Sequence, residues 1–178
     1  LNGFKSFAEK TNFLIEGGLT GIVGPNGCGK SNIVESLRWV MGETSAKSMR
    51  GSGMEDVIFS GTSNKASKNI AEVSIEVENK DKEGPIQYRG LEQIQVRRKI
   101  EKDKGSKFYI NDKEVRARDA QMFFADLSTG AHSPSMISQG RIGALVTAKP
   151  TDRRAILEEA AGISGLHVRR HEAELRLG

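Results

Sequence analysis

Apolar positions along the chain form three kinds of run, and each predicts a different element. Leu19-Thr20-Gly21-Ile22-Val23 is short and almost continuous, and reads as a buried strand. Asn12–Ile15 predicts a partner strand, joined to it through Glu16-Gly17-Gly18. From Ser31 to Met41, residues Ile33, Val34, Leu37, Val40 and Met41 recur at helical spacing. Ile70 to Val77 alternates, with Ala71, Val73, Ile75 and Val77 on one face, the period of a half-buried antiparallel strand. Ile94, Val96 and Arg98 repeat that alternation. With Asp103-Lys104-Gly105 leading into Phe108-Tyr109-Ile110, they predict a β-hairpin. Between these runs, Gly42–Gly53, Asn79–Pro85 and Ser128–Ile142 have loop chemistry, and Val57-Ile58-Phe59 marks a return to the core. Asp119–Leu127 predicts a short helix. Another opens at Pro150-Thr151-Asp152, with Thr151 as N-cap and Ile156, Leu157, Ala160 and Ala161 as its apolar face. Leu166–Leu177 is highly charged and helical in character. The expected fold class is α/β, a core sheet joined by an antiparallel sheet.

Between the first apolar run and the first helix stands Gly24-Pro25-Asn26-Gly27-Cys28-Gly29-Lys30-Ser31, a complete G-x-x-x-x-G-K-[ST] loop. Such octapeptides arise by chance, but strand, loop and helix in this order are the context that the chemistry requires. Glycines let backbone N–H groups turn toward an anion, and the helix N-terminus adds partial positive charge. Lys30 can then reach the outer phosphates, and Ser31 can offer its hydroxyl to magnesium. Cys28, the only cysteine, stands at a helix N-terminus, where a thiol pKa can fall and a redox role becomes conceivable. A small residue filling a small space is the simpler reading.

Charge and composition add limits. Lys and Arg total 27 against 23 acidic residues, a net charge of +4, which suits a solvated surface as well as it suits nucleic acid. No apolar run approaches the roughly 18 residues of a membrane span, and the first residues are not a secretory signal. One cysteine leaves no intramolecular disulfide framework. A cytosolic setting is therefore expected, and the missing initiator Met predicts a trimmed start.

Four segments in order carry a family likeness: Gly3-Phe4-Lys5-Ser6-Phe7, the phosphate loop, Arg50-Gly51-Ser52-Gly53-Met54-Glu55-Asp56-Val57-Ile58-Phe59, and Ser138-Gln139-Gly140-Arg141-Ile142. Together they resemble the N-terminal head segment of bacterial SMC proteins, the ATPases that organise chromosomes. Arg153–Ile163 is similar to the family's passage from head into coiled coil. The resemblance implies a P-loop NTPase of the ABC-type ATPase head class: its N-terminal lobe over 1–161, with a mixed core sheet and antiparallel β-subdomain, and the start of a coiled-coil helix over 162–178. By the same resemblance, ATP would be bound by Lys5, Ser6, Pro25, Asn26, Gly27, Cys28, Gly29, Lys30, Ser31 and Asn32. Magnesium would be held by Ser31 and Gln139, the latter as the Q-loop glutamine that also meets the attacking water. Arg50 would belong to the loop that links DNA binding to hydrolysis, approaching nucleotide across the dimer interface. The implied partners are the C-terminal half of the same head, a second SMC protomer, a kleisin subunit and DNA, in a cytoplasmic, nucleoid-associated setting.

ABC-type hydrolysis also needs a Walker B aspartate followed by a catalytic glutamate, and a signature motif. Met122-Phe123-Phe124-Ala125-Asp126 mimics the first, but Leu127 stands in the glutamate's place. Leu127-Ser128-Thr129-Gly130 mimics the second, and both precede Gln139 where they should follow it. The chain thus reads as half a head, inactive alone. A coiled-coil DNA repair or recombination ATPase is the alternative reading. A transporter subunit would not enter a charged helix after the Q-loop, and a small-molecule kinase would need an acceptor site not seen here. Arg50, Lys65, Lys68 and the lysines from Lys102 to Lys107 are the candidate DNA phosphate contacts. His167 and His171 stand at metal-binding spacing without an evident third ligand.

Overall fold

In the computed structural model, residues 1–79, 85–127, 136–137 and 146–160 are described. Helix α1 (Lys30–Val40) follows the phosphate loop. Strands β1 (Ile70–Glu78), β2 (Gln93–Glu101), β3 (Gly105–Ile110) and β4 (Lys113–Val115) then form one antiparallel sheet in sequential order. Helix α2 (Ala117–Asp126) follows, and α3 (Pro150–Ala160) comes last. Short 3-10 turns lie at Lys47–Met49, Met54–Val57 and Ile86–Tyr88.

The alternating strands form as their pattern predicts. Ala71 pairs with Ile100, Val73 with Arg98 and Val77 with Ile94, and Val96 lies opposite Ile110 on the other side. These inward residues pack with Trp39 and Val40 of α1, and with Phe123 and Phe124 of α2, into one core. Strand β4 was not expected from the pattern. Asn111 and Asp112, with φ of 47° and 62°, make the left-handed two-residue turn that folds it back.

Several expectations need correction. Residues 12–15 and 19–23 carry no strand, and the only sheet among the described residues is antiparallel, not mixed. Leu14 (83% exposed), Leu19 (99%) and Val23 (92%) have no apolar surface against them, and a buried strand needs neighbours on its edges and faces. On α1 the buried residues are Glu35, Ser36, Trp39 and Val40, while Ile33, Val34 and Leu37 are only half-buried. The sheet and the N-terminal turn cover one flank of the helix, and that flank is not the most apolar one. Helix α2 begins two residues before Asp119, because the Asp119 carboxylate reaches back to the Arg116 N–H at 3.2 Å and so closes the first turn. In α3, Thr151 lies inside the first turn and Pro150 starts the helix, the position where a missing N–H costs nothing. Leu157 of its expected apolar face is 69% exposed. The segment 162–178, with His167 and His171, lies outside the described residues. No helix among the described residues is long and apolar enough to cross a membrane.

Candidate phosphate-binding site

The loop from Gly24 to Ser31 is built on backbone that other residues would strain. Gly27 and Gly29 adopt φ of 82° and 93°, in the left-handed region. A Cβ on Gly29 would come within 2.9 Å of Ser6 Oγ, and one on Gly24 within 2.9 Å of Cys28 Sγ. The glycines therefore allow a close approach of backbone that a side chain would fill. Lys30, the first residue of α1, folds its ammonium back over the loop and donates to the carbonyls of Gly24 and Pro25, each at 2.6 Å. Cys28 is exposed, with Sγ 3.9 Å from that ammonium. Ser31 is exposed at the helix start.

A second element is brought to the loop by the N-terminal turn. Gly3 has φ of 64°, and a Cβ there would lie 2.3 Å from the Ile70 carbonyl oxygen, so glycine lets the chain press against β1. Phe4, fully buried, packs on Trp39 with ring centroids 5.4 Å apart. Phe4 and Phe7 exchange backbone hydrogen bonds at 3.1 and 2.8 Å, which closes a tight turn. Lys5 and Ser6 at its tip are thereby held beside α1. Ser6 Oγ accepts from Asn32 Nδ2 at 2.9 Å.

Arg50 joins from the other side. It sits in the left-handed region after the Lys47–Met49 turn, with φ of 54°, and its Nη2 donates to Asn32 Oδ1 at 2.8 Å. The loop beyond it is locked by Asp56, whose Oδ2 accepts from Ser52 N at 2.7 Å, Ser52 Oγ at 2.9 Å and Gly53 N at 3.0 Å. These donors, the Gly53 N–H foremost, hold the Asp56 carboxyl below its ordinary value.

Pattern reading missed Glu35. Its carboxylate is almost fully buried and takes Lys5 Nζ at 2.5 Å through one oxygen and Arg50 Nε through the other. No linear signal marked it: Glu35 and Ser36 lie on the flank of α1 that turns inward, whereas the apolar positions Ile33, Val34 and Leu37 mark another flank.

Lys5, Ser6, Lys30, Asn32 and Arg50 thus converge on one locality, with the loop residues Pro25 to Gly29. Gln139 lies outside the described residues. Three of the expected lysine contacts to DNA form ion pairs within the chain: Lys65 with Glu9 at 2.6 Å, Lys104 with Glu101 at 2.5 Å and Lys107 with Glu114 at 3.0 Å. A separate cavity of about 1220 Å³, lined by Tyr88, Arg116, Met122 and Phe123 among others, contains none of the phosphate-loop residues. Among the described residues no cluster of His, Cys, Asp or Glu could hold a metal ion.

The RecF/RecN/SMC N terminal domain model matches residues 1–141. Over 177 residues the chain is 58% identical to the chromosome partition protein Smc of Cereibacter sphaeroides, and 56% identical to that of Rhodopseudomonas palustris. Each match covers 99% of this chain but 15% of the relative, so the chain spans about a seventh of their length. Among solved structures it is similar to an Smc head bound to the C-winged helix domain of ScpA (TM-score 0.81, 31% identity, 91% of this chain and 49% of that one). It is also similar to a Pyrococcus furiosus Smc head bound to the C-terminal domain of ScpA (TM-score 0.79, 30% identity, 99% and 44%). A third likeness is to a structure described as showing ATP-driven dimerization and DNA stimulated activation of SMC ATPases (TM-score 0.74, 29% identity, 89% and 94%). With the motifs in order and the family model covering most of its length, this chain belongs to the RecF/RecN/SMC N-terminal domain family and corresponds to the N-terminal head region of its bacterial SMC members.

Proposed function

We propose that this chain forms the ATP-binding wall of a chromosome-partitioning ATPase head, and that hydrolysis requires the C-terminal lobe and a second protomer. The observation that carries the reading is the glycine cradle from Gly24 to Gly29 feeding α1, with Lys30 folded over it. The fit to a nucleotide is chemical: tight glycine backbone, one ammonium and the N-terminus of an eleven-residue helix are the donor set a polyphosphate uses.

In this reading the loop backbone N–H groups orient the phosphates, Lys30 moves from the carbonyls of Gly24 and Pro25 to their oxygens, and Ser31 with Gln139 holds magnesium. When bound, magnesium would neutralise charge developing on the β- and γ-phosphate oxygens. Lys5, Ser6 and Asn32 fix the flank of the pocket, and Arg50 adds a cation beside it. No Walker B glutamate follows these residues in the chain, so activation of water is assigned to the C-terminal lobe. The exposed apolar residues Leu14, Leu19 and Val23 support this division, since they are the surface such a lobe would bury. Head dimerisation, a ScpA-type kleisin and DNA are proposed as partners by the same likeness, in the cytoplasm at the nucleoid. The repair or recombination reading keeps less support, because the curated relatives named above are chromosome partition proteins.

In the full-length protein, Lys30→Ala is expected to abolish binding of a fluorescent ATP analogue and turnover with it. The isolated chain should hydrolyse ATP at background rate and gain activity when mixed with its C-terminal lobe. Robust turnover by the chain alone, removed by Lys30→Ala, would overturn the shared-site reading.

A further inference from the structure

We propose that Glu35 is a positioning residue: its buried carboxylate sets Arg50 and Lys5 at the rim of the phosphate loop, and nucleotide affinity depends on it through Arg50. The inference rests on the nucleotide-binding reading above and concerns a residue to which that reading gives no role.

The geometry is a closed ring. Glu35 Oε2 takes Lys5 Nζ at 2.5 Å, and Lys5 is joined covalently to Ser6. Ser6 Oγ takes Asn32 Nδ2 at 2.9 Å, Asn32 Oδ1 takes Arg50 Nη2 at 2.8 Å, and Arg50 Nε returns to Glu35 Oε1. The ring touches the phosphate loop at Ser6, whose hydroxyl sits 2.9 Å from where a Gly29 Cβ would be.

The members differ in exposure, and that difference assigns the roles. The Glu35 and Lys5 side chains are 8% and 13% exposed, whereas Arg50 is 57% exposed. A buried carboxylate needs its cations, because an unpaired buried charge is strongly disfavoured. An exposed arginine has no such need, and free in solvent it would sample many rotamers. Glu35 and Asn32, one helical turn apart on α1, together hold two in-plane nitrogens of the guanidinium, Nε and Nη2, and fix its plane, as a carboxylate does for an arginine in a bidentate site. Lys5 is anchored doubly, since its ammonium also donates to the Met49 carbonyl, one residue before Arg50. One carboxylate against two cations leaves a net positive charge on the ring, beside Lys30. An incoming polyphosphate thus meets an arginine already ordered, and does not have to order it.

The test is a double-mutant cycle in the full-length protein, read as the Kd of a fluorescent ATP analogue. Glu35→Gln and Arg50→Ala are each expected to weaken binding about tenfold, and the double variant about tenfold as well, because both remove the same device. A hundredfold loss in the double variant, or an unchanged Kd in Glu35→Gln, would overturn the proposal. Arg50→Lys lies at an exposed position and keeps the charge, so it remains informative if Glu35→Gln fails to fold. It should bind as weakly as Arg50→Ala, since an ammonium does not span Glu35 and Asn32, and native affinity in Arg50→Lys would show that charge alone matters and sink the idea. Lys30→Ala separates the two readings: retained binding there refutes the nucleotide site itself, whereas lost binding with neutral ring variants refutes only the role of Glu35.

Discussion

Arg98 offers the sharpest test of how the sheet is joined to α1. It stands at an inward position of β2, 3% exposed, among Val96, Ile94 and Ile100. Its guanidinium lies between two rings, 4.5 Å from the Trp39 centroid and 4.6 Å from that of Phe108. Nη1 donates to the carbonyls of Trp39 at 2.8 Å and Glu43 at 2.6 Å, and Nη2 to Ser106 Oγ at 3.1 Å. Arg98→Met keeps the stem and removes the donors. Burial works for the substitution: it pulls the guanidinium down to about 10 against an opposing contribution from Glu43, about 3 kcal/mol held against the charge at about 1.36 kcal/mol per unit. Against that, hydrogen bonds from a charged donor contribute about 1.5–3 kcal/mol each, and desolvated cation–π contacts up to about 2 kcal/mol each. The Trp39 carbonyl keeps a bond from Gly42 N at 3.2 Å, which softens the loss. With the three bonds at the low end of that range and each ring contact near about 1 kcal/mol, the balance is about 3 kcal/mol of destabilisation. Amide hydrogen exchange in the complete head should show β2 and the end of α1 exchanging about 10²-fold faster in the variant. Arg98→Lys should restore little, since one ammonium does not bridge two carbonyls and two ring faces. Protection in Arg98→Met equal to the native protein would refute this role for Arg98, showing that desolvation cancels its hydrogen bonds and ring contacts.

Two further outcomes follow from the loops. Gly3→Ala places a Cβ 2.3 Å from the Ile70 carbonyl at φ of 64°, and a loss of about 2 kcal/mol or more is expected in denaturant unfolding; a variant as stable as the native protein would contradict the packing of the N-terminal turn on β1. Asp56 is held ionised by Gly53 and Ser52, so its contribution is present above the ordinary carboxylate range and is lost as pH falls through its depressed value. Amide protection at Ser52 and Gly53 should therefore decline at acid pH, and Asp56→Asn should remove that pH dependence; an unchanged acid profile in the variant would show the carboxylate to be idle.

The parts legible in the sequence were those whose physics is local. Alternation in Ile70–Val77 and Ile94–Arg98 places β1 and β2 because one face meets α1 and α2 within this chain. The phosphate loop is legible because its glycines answer to backbone geometry alone. Leu19–Val23 has the composition of a strand, yet strand formation there depends on neighbours that the described residues do not supply. Arg98 sits in phase with its apolar neighbours, but nothing in a linear pattern distinguishes a buried cation between Trp39 and Phe108 from an exposed one. Glu35 escaped for the same reason: its partners Lys5 and Arg50 lie 30 residues before it and 15 after, and only the fold brings them to one carboxylate.

The two margins of the sheet decide how this chain meets other polypeptides. On the β1 side, the backbone of Asn2 exchanges hydrogen bonds with Glu72 at 2.9 and 2.8 Å, occupying the outer strand near its start. On the other side, β4 is three residues long and carries Lys113 and Glu114. Short, charged or occupied margins discourage a foreign strand from adding itself. Unwanted association of this chain should therefore begin at residues 12–23, where exposed Leu14, Leu19 and Val23 on backbone without a ladder offer both the hydrogen-bonding groups and the greasy surface that aggregation recruits.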